Sequence, residues 1–178
     1  MKTEEEKMLA GEQYNPEVPE LIEYRDNTQN LLQKFNSNHD FSVLKELFPQ
    51  KDESARIMPP FFCDYGHTIK FSKNVFVNYN CTFLSCAPIV VGENTFIGPN
   101  VQLYTAVHPT NPELRITGVE TSKPITIGKN CWLGGGVIVL PGVEIGEGCT
   151  IGAGSVVTKS IPPRSVAVGN PCKVIKKV

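Results

Sequence analysis

Apolar residues near the start of the chain recur at three- and four-residue steps: Met8 and Leu9, then Leu21, Ile22 and Tyr24, then Leu31, Leu32 and Phe35. That spacing predicts helices between about Thr3 and Phe48. Pro16 and Pro19 divide a first short helix from a second. Asn36-Ser37-Asn38-His39-Asp40 divides the second from a third, which ends before Pro49. Helices this short are marginal alone in water, so their apolar faces must pack on the remainder of the chain.

From Ile57 the period changes. Aliphatic residues stand at every sixth position in Ile127, Leu133, Val139, Ile145, Ile151 and Val157, and glycine follows four of them directly as Gly128, Gly134, Gly146 and Gly152. Six is neither the helix period nor the two-residue strand period. It fits a prism-shaped coil with three short flat sides, in which the same position returns to the interior at every corner. Glycine beside the aliphatic suits a tight corner that needs either a positive φ or close backbone approach. An upstream block repeats the pattern at Val91-Gly92, Ile97-Gly98 and Leu103, after a looser set at Ile69, Val75 and Cys81. At ~18 residues per coil, roughly five to six coils are expected. A β-sandwich would instead show turns every ~8–12 residues with simple alternation. The expectation is a mainly β chain, with a helical cap over residues 1–56 and a parallel β-helix over 57–178.

The six-residue register fails between Leu103 and Ile125, leaving an excursion over about 104–124. A long irregular segment inside a compact repeat is usually functional or disordered. His108 stands at its root, where the rigid coil would hold its side chain while the loop beyond covers a ligand. A neutral imidazole suits a general base that takes the proton of a hydroxyl nucleophile. A structural histidine before the Pro109 turn has the same spacing, and position alone leaves both open.

Composition narrows the function classes. The 178 residues are 40% hydrophobic and 20% charged with a net charge of −1, the profile of one ordinary globular unit. A balance near zero argues against a broad nucleic-acid or anionic-lipid footprint, which needs clustered Lys and Arg. The expected partners are a small molecule and other copies of the chain. Met1-Lys2-Thr3-Glu4-Glu5-Glu6-Lys7 has no signal-like apolar stretch, and no run reaches the ~20 residues of a membrane span, so a cytoplasmic, reduced environment is expected. The six cysteines form no Cys-x-x-Cys pair and read as buried small hydrophobes; no metal is expected.

Several segments together resemble the maltose and galactoside O-acetyltransferases, hexapeptide-repeat enzymes. They are Cys63-Asp64-Tyr65-Gly66, Val77-Asn78-Tyr79-Asn80, Tyr104 through Pro109, Ile127 through Gly135, Ile151 through Lys159, and Gly169-Asn170-Pro171-Cys172. Glu6 through Glu12 looks like the start of that family's cap over the acceptor site. The resemblance implies a left-handed parallel β-helix, a homotrimer, and transfer of acetyl from acetyl coenzyme A to a sugar hydroxyl, with His108 as general base. On the acceptor side it implies Asn78 and Asp64, with Ser85 in the segment where the family carries an aspartate. On the acetyl coenzyme A side it implies Gly135, Ala153, Thr158, Lys159, Lys173, Lys176 and a bordering Trp132. Two departures stand out: neither Ser85 nor Cys86 is acidic, and the cap's acceptor aspartate falls at about Pro16, between Asn15 and Glu17. They leave room for a non-sugar hydroxyl or amine acceptor, such as an antibiotic. A covalent acetyl-cysteine route finds no cysteine in a motif beside His108. A β-helical metal enzyme would need three gathered histidines, and a mere scaffold would need neither His108 nor the Thr158-Lys159 pair.

Overall fold

The computed structural model describes residues 2–178. Helix α1 (Glu4–Leu9) starts on a capping box, with Thr3 and Glu6 satisfying each other's free backbone N–H groups. Helix α2 (Pro19–Asn38) has proline in its first turn and ends where His39 turns left-handed at φ 52°. Of its buried residues, Leu31, Leu32 and Phe35 join the core of the first coils, while Leu21 packs in a second cluster with Met8, Tyr14, Tyr65 and Cys86. A 3-10 turn (Phe41–Val43) and helix α3 (Leu44–Leu47) complete the N-terminal segment. Asn36 accepts from the backbone N–H of Phe61 at 2.9 Å and donates to the Phe61 carbonyl at 2.8 Å, while Gln29 donates to the Cys63 carbonyl at 3.1 Å. The edge strand Phe61–Cys63 is thus satisfied by side chains instead of a further strand, which closes an otherwise exposed sheet edge. Behind it, Phe48, Phe61, Phe71 and Phe83 meet edge to face with centroids 5.0–5.5 Å apart along the contacts Phe48–Phe61, Phe48–Phe71 and Phe61–Phe83.

The rest of the chain is a solenoid of about six turns with three parallel faces. Face one stacks Arg56–Ile57, Phe76–Val77, Phe96–Ile97, Trp132–Leu133, Thr150–Ile151 and Ser165–Val168, and ends in an antiparallel strand, Lys173–Lys177. Face two stacks Phe61–Cys63, Cys81–Leu84, Gln102–Tyr104, Ile138–Val139 and Val156–Val157; face three stacks Gln50–Lys51, Ile69–Phe71, Ile89–Val91, Ile125–Ile127 and Glu144–Ile145. The aliphatic residues of the six-residue register are buried in one continuous core. In the upstream coils the partners of the six-residue register are Phe71, Val77 and Phe83, two beyond the looser set at Ile69, Val75 and Cys81, which also points inward and of which Ile69 and Cys81 are register partners as well.

Of the two reasons for corner glycines, close approach explains those that follow the aliphatic. A Cβ on Gly128 would lie 2.6 Å from the Glu147 nitrogen, and one on Gly134 2.6 Å from the Ala153 nitrogen. Positive φ falls two residues later, at Asn94, Asn100, Asn130, Gly136, Gly148 and Gly154. Asparagine tolerates this conformation better than other side chains, and here it also builds ladders. Asn74 donates to Asn94 at 3.0 Å and Asn94 to Asn130 at 3.1 Å, while Asn80 donates to Asn100 at 2.6 Å.

The corner between faces two and three is wider than the others. Val77 to Phe83, Ile97 to Leu103 and Leu133 to Val139 are six-residue steps, but Cys63 to Phe71 and Phe83 to Val91 each take eight, and Leu103 to Ile127 takes twenty-four. Above the excursion, Val139 to Ile145 returns to six. The widened corners are knotted from inside by buried hydroxyls. Ser85 accepts from the Tyr65 N–H at 3.1 Å and donates to the Tyr65 carbonyl at 3.0 Å; Thr105 accepts from the Ala87 N–H at 3.0 Å and donates to the Leu84 carbonyl at 2.7 Å. The excursion is more ordered than its sequence indicates. Ala106–Val107 and Thr121–Ser122 form an antiparallel ribbon, and helix α4 (Pro112–Arg115), capped by Asn111, sits at its tip. No described helix is long and apolar enough to cross a membrane.

Candidate active site

The widened corner and the N-terminal cap enclose a cavity of about 300 Å³ lined by Pro16, Glu17, Arg25, Asp64, Tyr65, Leu84, Cys86, Ala106, His108 and Glu120. Asp64 is the first residue past the edge strand Phe61–Cys63, where the corner opens. Burial raises its carboxyl from 3.8 to about 6; the Arg25 charge opposes the rise, Glu120 adds to it, and no hydrogen bond to the carboxyl contributes. Its oxygens therefore face the cavity with acceptor capacity unused. Arg25, from α2, is already committed: it donates to the Pro16 carbonyl at 2.7 Å and the Tyr65 hydroxyl at 2.8 Å, and pairs with Glu17 at 3.2 Å. The Tyr65 phenol, buried beside it, is pushed up to about 12 by burial, with Arg25 opposing.

His108 follows directly on the outgoing strand of the ribbon and leaves 58% of its side chain exposed, with Nδ1 3.7 Å from Oε1 of Glu120. The other Glu120 oxygen accepts from the Tyr14 hydroxyl at 2.7 Å. Three groups of this kind, an exposed imidazole, an unpaired half-buried carboxylate and a cation held in place, can accept a proton from a hydroxyl and orient the molecule that carries it. The Cys86 thiol is pushed up to about 12, chiefly by burial, with Tyr14 opposing. It stays a thiol at neutral pH, which disfavours a covalent route through it.

Ser85 corrects the sequence reading. It is fully buried, does not line the cavity, and spends its hydroxyl on the Tyr65 backbone. The inward–outward alternation along the corner puts Cys86 at the cavity instead. Glu120, Arg25, Tyr14 and Glu17 also stand around this cavity and its base. Their partners lie up to 106 residues away and carry no motif; proximity to Pro16 was the one signal for Glu17.

The remaining expected residues gather elsewhere. Asn78 and Trp132 line a shallow cavity of about 400 Å³ with Phe76, Phe96, Ile97 and Gly98, on face one and its corner with face two. Phe76, Phe96 and Trp132 are register partners on successive coils, and the last two are more than half exposed. Gly135 and exposed Ala153 stack on this same corner, where the Gly154 N–H donates to the Gly135 carbonyl at 2.9 Å. Lys173 and Lys176 project from the antiparallel strand that closes face one. Thr158 and Lys159 are exposed on the other corner, above the His108 cavity. One chain therefore carries two groups of expected residues on opposite edges of face two. No cluster of three or more His, Cys, Asp or Glu placed to hold a metal ion occurs among the described residues; His39 caps α2 and His67 is bonded to Glu5 at 3.1 Å.

Known proteins resemble this chain over nearly its whole length. Residues 7–57 match the maltose acetyltransferase hexapeptide capping motif, and residues 124–159 match the bacterial transferase hexapeptide (six repeats). Galactoside O-acetyltransferase of Escherichia coli (strain K12) is 40% identical over 97% of this chain and 88% of its own length. The crystal structure of a maltose O-acetyltransferase from Clostridium difficile 630 superposes with a TM-score of 0.96 at 44% identity, covering 99% of this chain and 98% of that one. A galactoside acetyltransferase in complex with coenzyme A superposes with a TM-score of 0.94 at 39% identity, over 99% and 92% of the two chains.

Proposed function

The chain belongs to the maltose and galactoside O-acetyltransferase family of hexapeptide transferases, and on that premise we propose that it moves acetyl from acetyl coenzyme A to a sugar hydroxyl, with His108 as general base. The observation that carries this reading is the exposed His108 imidazole facing Glu120 in the cavity that also holds the unpaired Asp64 carboxylate. With Nδ1 turned to Glu120, Nε2 is free to take the acceptor proton as the hydroxyl oxygen bonds to the thioester carbonyl carbon. The tetrahedral intermediate then collapses, the carbon–sulfur bond breaks, and the proton passes from Nε2 to the departing sulfur. The acceptor ester and the free thiol of coenzyme A are the products. Asp64 accepts from a neighbouring hydroxyl of the sugar, and Arg25 closes the cap side of the cavity.

The acetyl donor lies along the second group of residues, and the working unit is a homotrimer. Each copy brings its Asn78, Trp132, Gly135, Ala153, Lys173 and Lys176 edge against the His108 edge of a neighbour, where Thr158 and Lys159 stand. The exposed apolar surface of Tyr79, Phe96 and Trp132, with Ile116 at the excursion tip 84% exposed, supports such packing. The narrow Gly134–Gly136 corner gives backbone groups that a thin pantetheine arm can approach. Six buried free cysteines fit work in the reducing cytosol.

The test is thiol release from acetyl coenzyme A against glucosides, galactosides, maltose and aminoglycoside or chloramphenicol-type acceptors, with the His108→Ala variant alongside. Release with a sugar, lowered roughly 10²–10⁴-fold in the variant, is expected. Release only with a non-sugar moves the acceptor to that class, and undiminished turnover in the variant removes His108 as the base. Sedimentation of the purified protein as a monomer would refute the trimer.

A further inference from the structure

We propose that Tyr14, in the N-terminal cap, is a positioning residue for acyl transfer: acting through Glu120, it fixes the orientation and tautomer of His108. The inference rests on the reading of His108 as the base.

Tyr14 and Glu120 are joined twice. Their backbones exchange hydrogen bonds, Tyr14 N–H to the Glu120 carbonyl at 3.0 Å and Glu120 N–H to the Tyr14 carbonyl at 3.1 Å, in an isolated antiparallel bridge. The phenol then donates to Oε2 of the same glutamate at 2.7 Å. The excursion ribbon supplies the second half of the arrangement. Val107 pairs with Thr121, so the next antiparallel position sets His108 opposite Glu120. Ser122 anchors the same arm to the cap by donating to the Met8 carbonyl at 2.6 Å. Glu120 is thus held by the cap on one oxygen and presents the other to Nδ1 of His108 at 3.7 Å, a separation that a tightened complex can shorten to a hydrogen bond.

The chemistry follows from the geometry. A carboxylate facing Nδ1 favours the proton there and leaves the lone pair on Nε2, the state a base needs. A free glutamate would rotate away, since its three side-chain torsions are otherwise unrestrained. Tyr14 is 1% exposed, and burial raises its phenol far above neutral pH, so it remains a donor under any working condition. The other charged groups around this cavity are Glu17, Arg25 and Asp64. Arg25 is occupied by Pro16, Tyr65 and Glu17, and among the described residues no Lys or Arg pairs with Glu120, which faces His108 instead. The cap therefore does more than cover the acceptor: its closure is connected to the state of the base.

Full-length Tyr14→Phe, Glu120→Gln and the double variant test this, with the imidazole ¹⁵N shifts of His108, kcat, and the KM for acetyl coenzyme A measured on each. The Nδ1–H tautomer is expected in the parent protein and a mixed population in both single variants. We expect kcat to fall about tenfold or more in each at unchanged donor KM. In the double variant the loss should be no larger than in Glu120→Gln alone, because Tyr14 acts only through Glu120. A parental tautomer and kcat in Tyr14→Phe overturn the proposal, as do losses that multiply. If Tyr14→Phe folds poorly, parental ¹⁵N shifts and kcat in Glu120→Gln have the same force. Undiminished turnover in His108→Ala would defeat the base assignment separately, while the ¹⁵N shifts still report whether Tyr14 and Glu120 hold the ring.

Discussion

Replacing Asp64 with asparagine should make the protein more stable and a worse enzyme, and the size of the first effect follows from its carboxyl. Burial takes that group from 3.8 to about 6. Folding thus raises its affinity for a proton, so between about pH 4 and 6 the folded state keeps a proton that the unfolded chain has released. Stability contributed by this group falls as pH climbs through that window, and the whole penalty is present above it. Each pH unit of separation is worth 1.36 kcal/mol, so the penalty is about 3 kcal/mol at neutral pH, falls to roughly 0.5 kcal/mol near pH 4 and vanishes below about pH 3. Asparagine keeps the shape and removes the charge. Arg25 is not orphaned by the change, because it retains Pro16, Tyr65 and Glu17. For a chain of this size, 1 kcal/mol moves the thermal midpoint by about 2–4 °C, so Asp64→Asn should unfold roughly 6–12 °C higher at pH 7.5 and within about 2 °C of the parent near pH 4. Melting both proteins across that range by circular dichroism, with thiol release measured in parallel, gives the comparison. An equal midpoint at pH 7.5, or a difference that does not vary with pH, would refute the idea that the site stores a desolvated charge.

Four further outcomes are expected. The KM for the acceptor should rise as pH falls below about 6, where Asp64 gains its proton and loses an acceptor site; a flat KM from pH 5 to 8 would detach Asp64 from the acceptor. Ser85→Ala should lower stability by about 1–3 kcal/mol by leaving the Tyr65 backbone N–H unsatisfied while acceptor KM in the remaining folded protein is unchanged; urea unfolding and initial rates separate the two. Gly134→Ala forces a Cβ within 2.6 Å of the next coil's backbone and should cost more than Gly154→Ala, which meets open space and carries only the strain of φ 70°, about 1–2 kcal/mol. Equal midpoints for that pair would remove close approach as the reason for the corner glycines. Asn94→Ala breaks both links of its ladder and places alanine at φ 55°, so it should be less stable than Asn94→Gly, which relieves the strain; the reverse order would argue against left-handed strain at this corner.

The solenoid was legible because its physical requirement is periodic. A buried aliphatic and a corner without room for a Cβ recur every six residues, and Ile127-Gly128, Leu133-Gly134 and Ile151-Gly152 display both together. The candidate site was legible only where a single residue signals its chemistry, as His108 does at the root of the interruption. Tyr14, Arg25 and Glu120 are ordinary residues in helical or loop surroundings until the cap folds back on the corner. Ser85 misled for a related reason: a serine in an acceptor-like segment looks available, yet an interior hydroxyl is needed wherever a corner takes two extra residues and leaves backbone N–H and carbonyl groups without strand partners. The upstream register was blurred by the same two residues, since a step of eight breaks a search for sixes.

That uneven corner separates two inheritances. Pairing between coils is set by the six-residue steps on the other two corners, so residues can be added or exchanged between faces two and three without displacing a strand partner anywhere else. Variation in the cavity's lining can accumulate there, in 64–68, 85–88 and 105–124, while the stack that carries it is held by geometry alone. A transplant of those three segments between relatives would change one wall of the cavity and leave both the scaffold and the cap's Pro16, Glu17 and Arg25 in place.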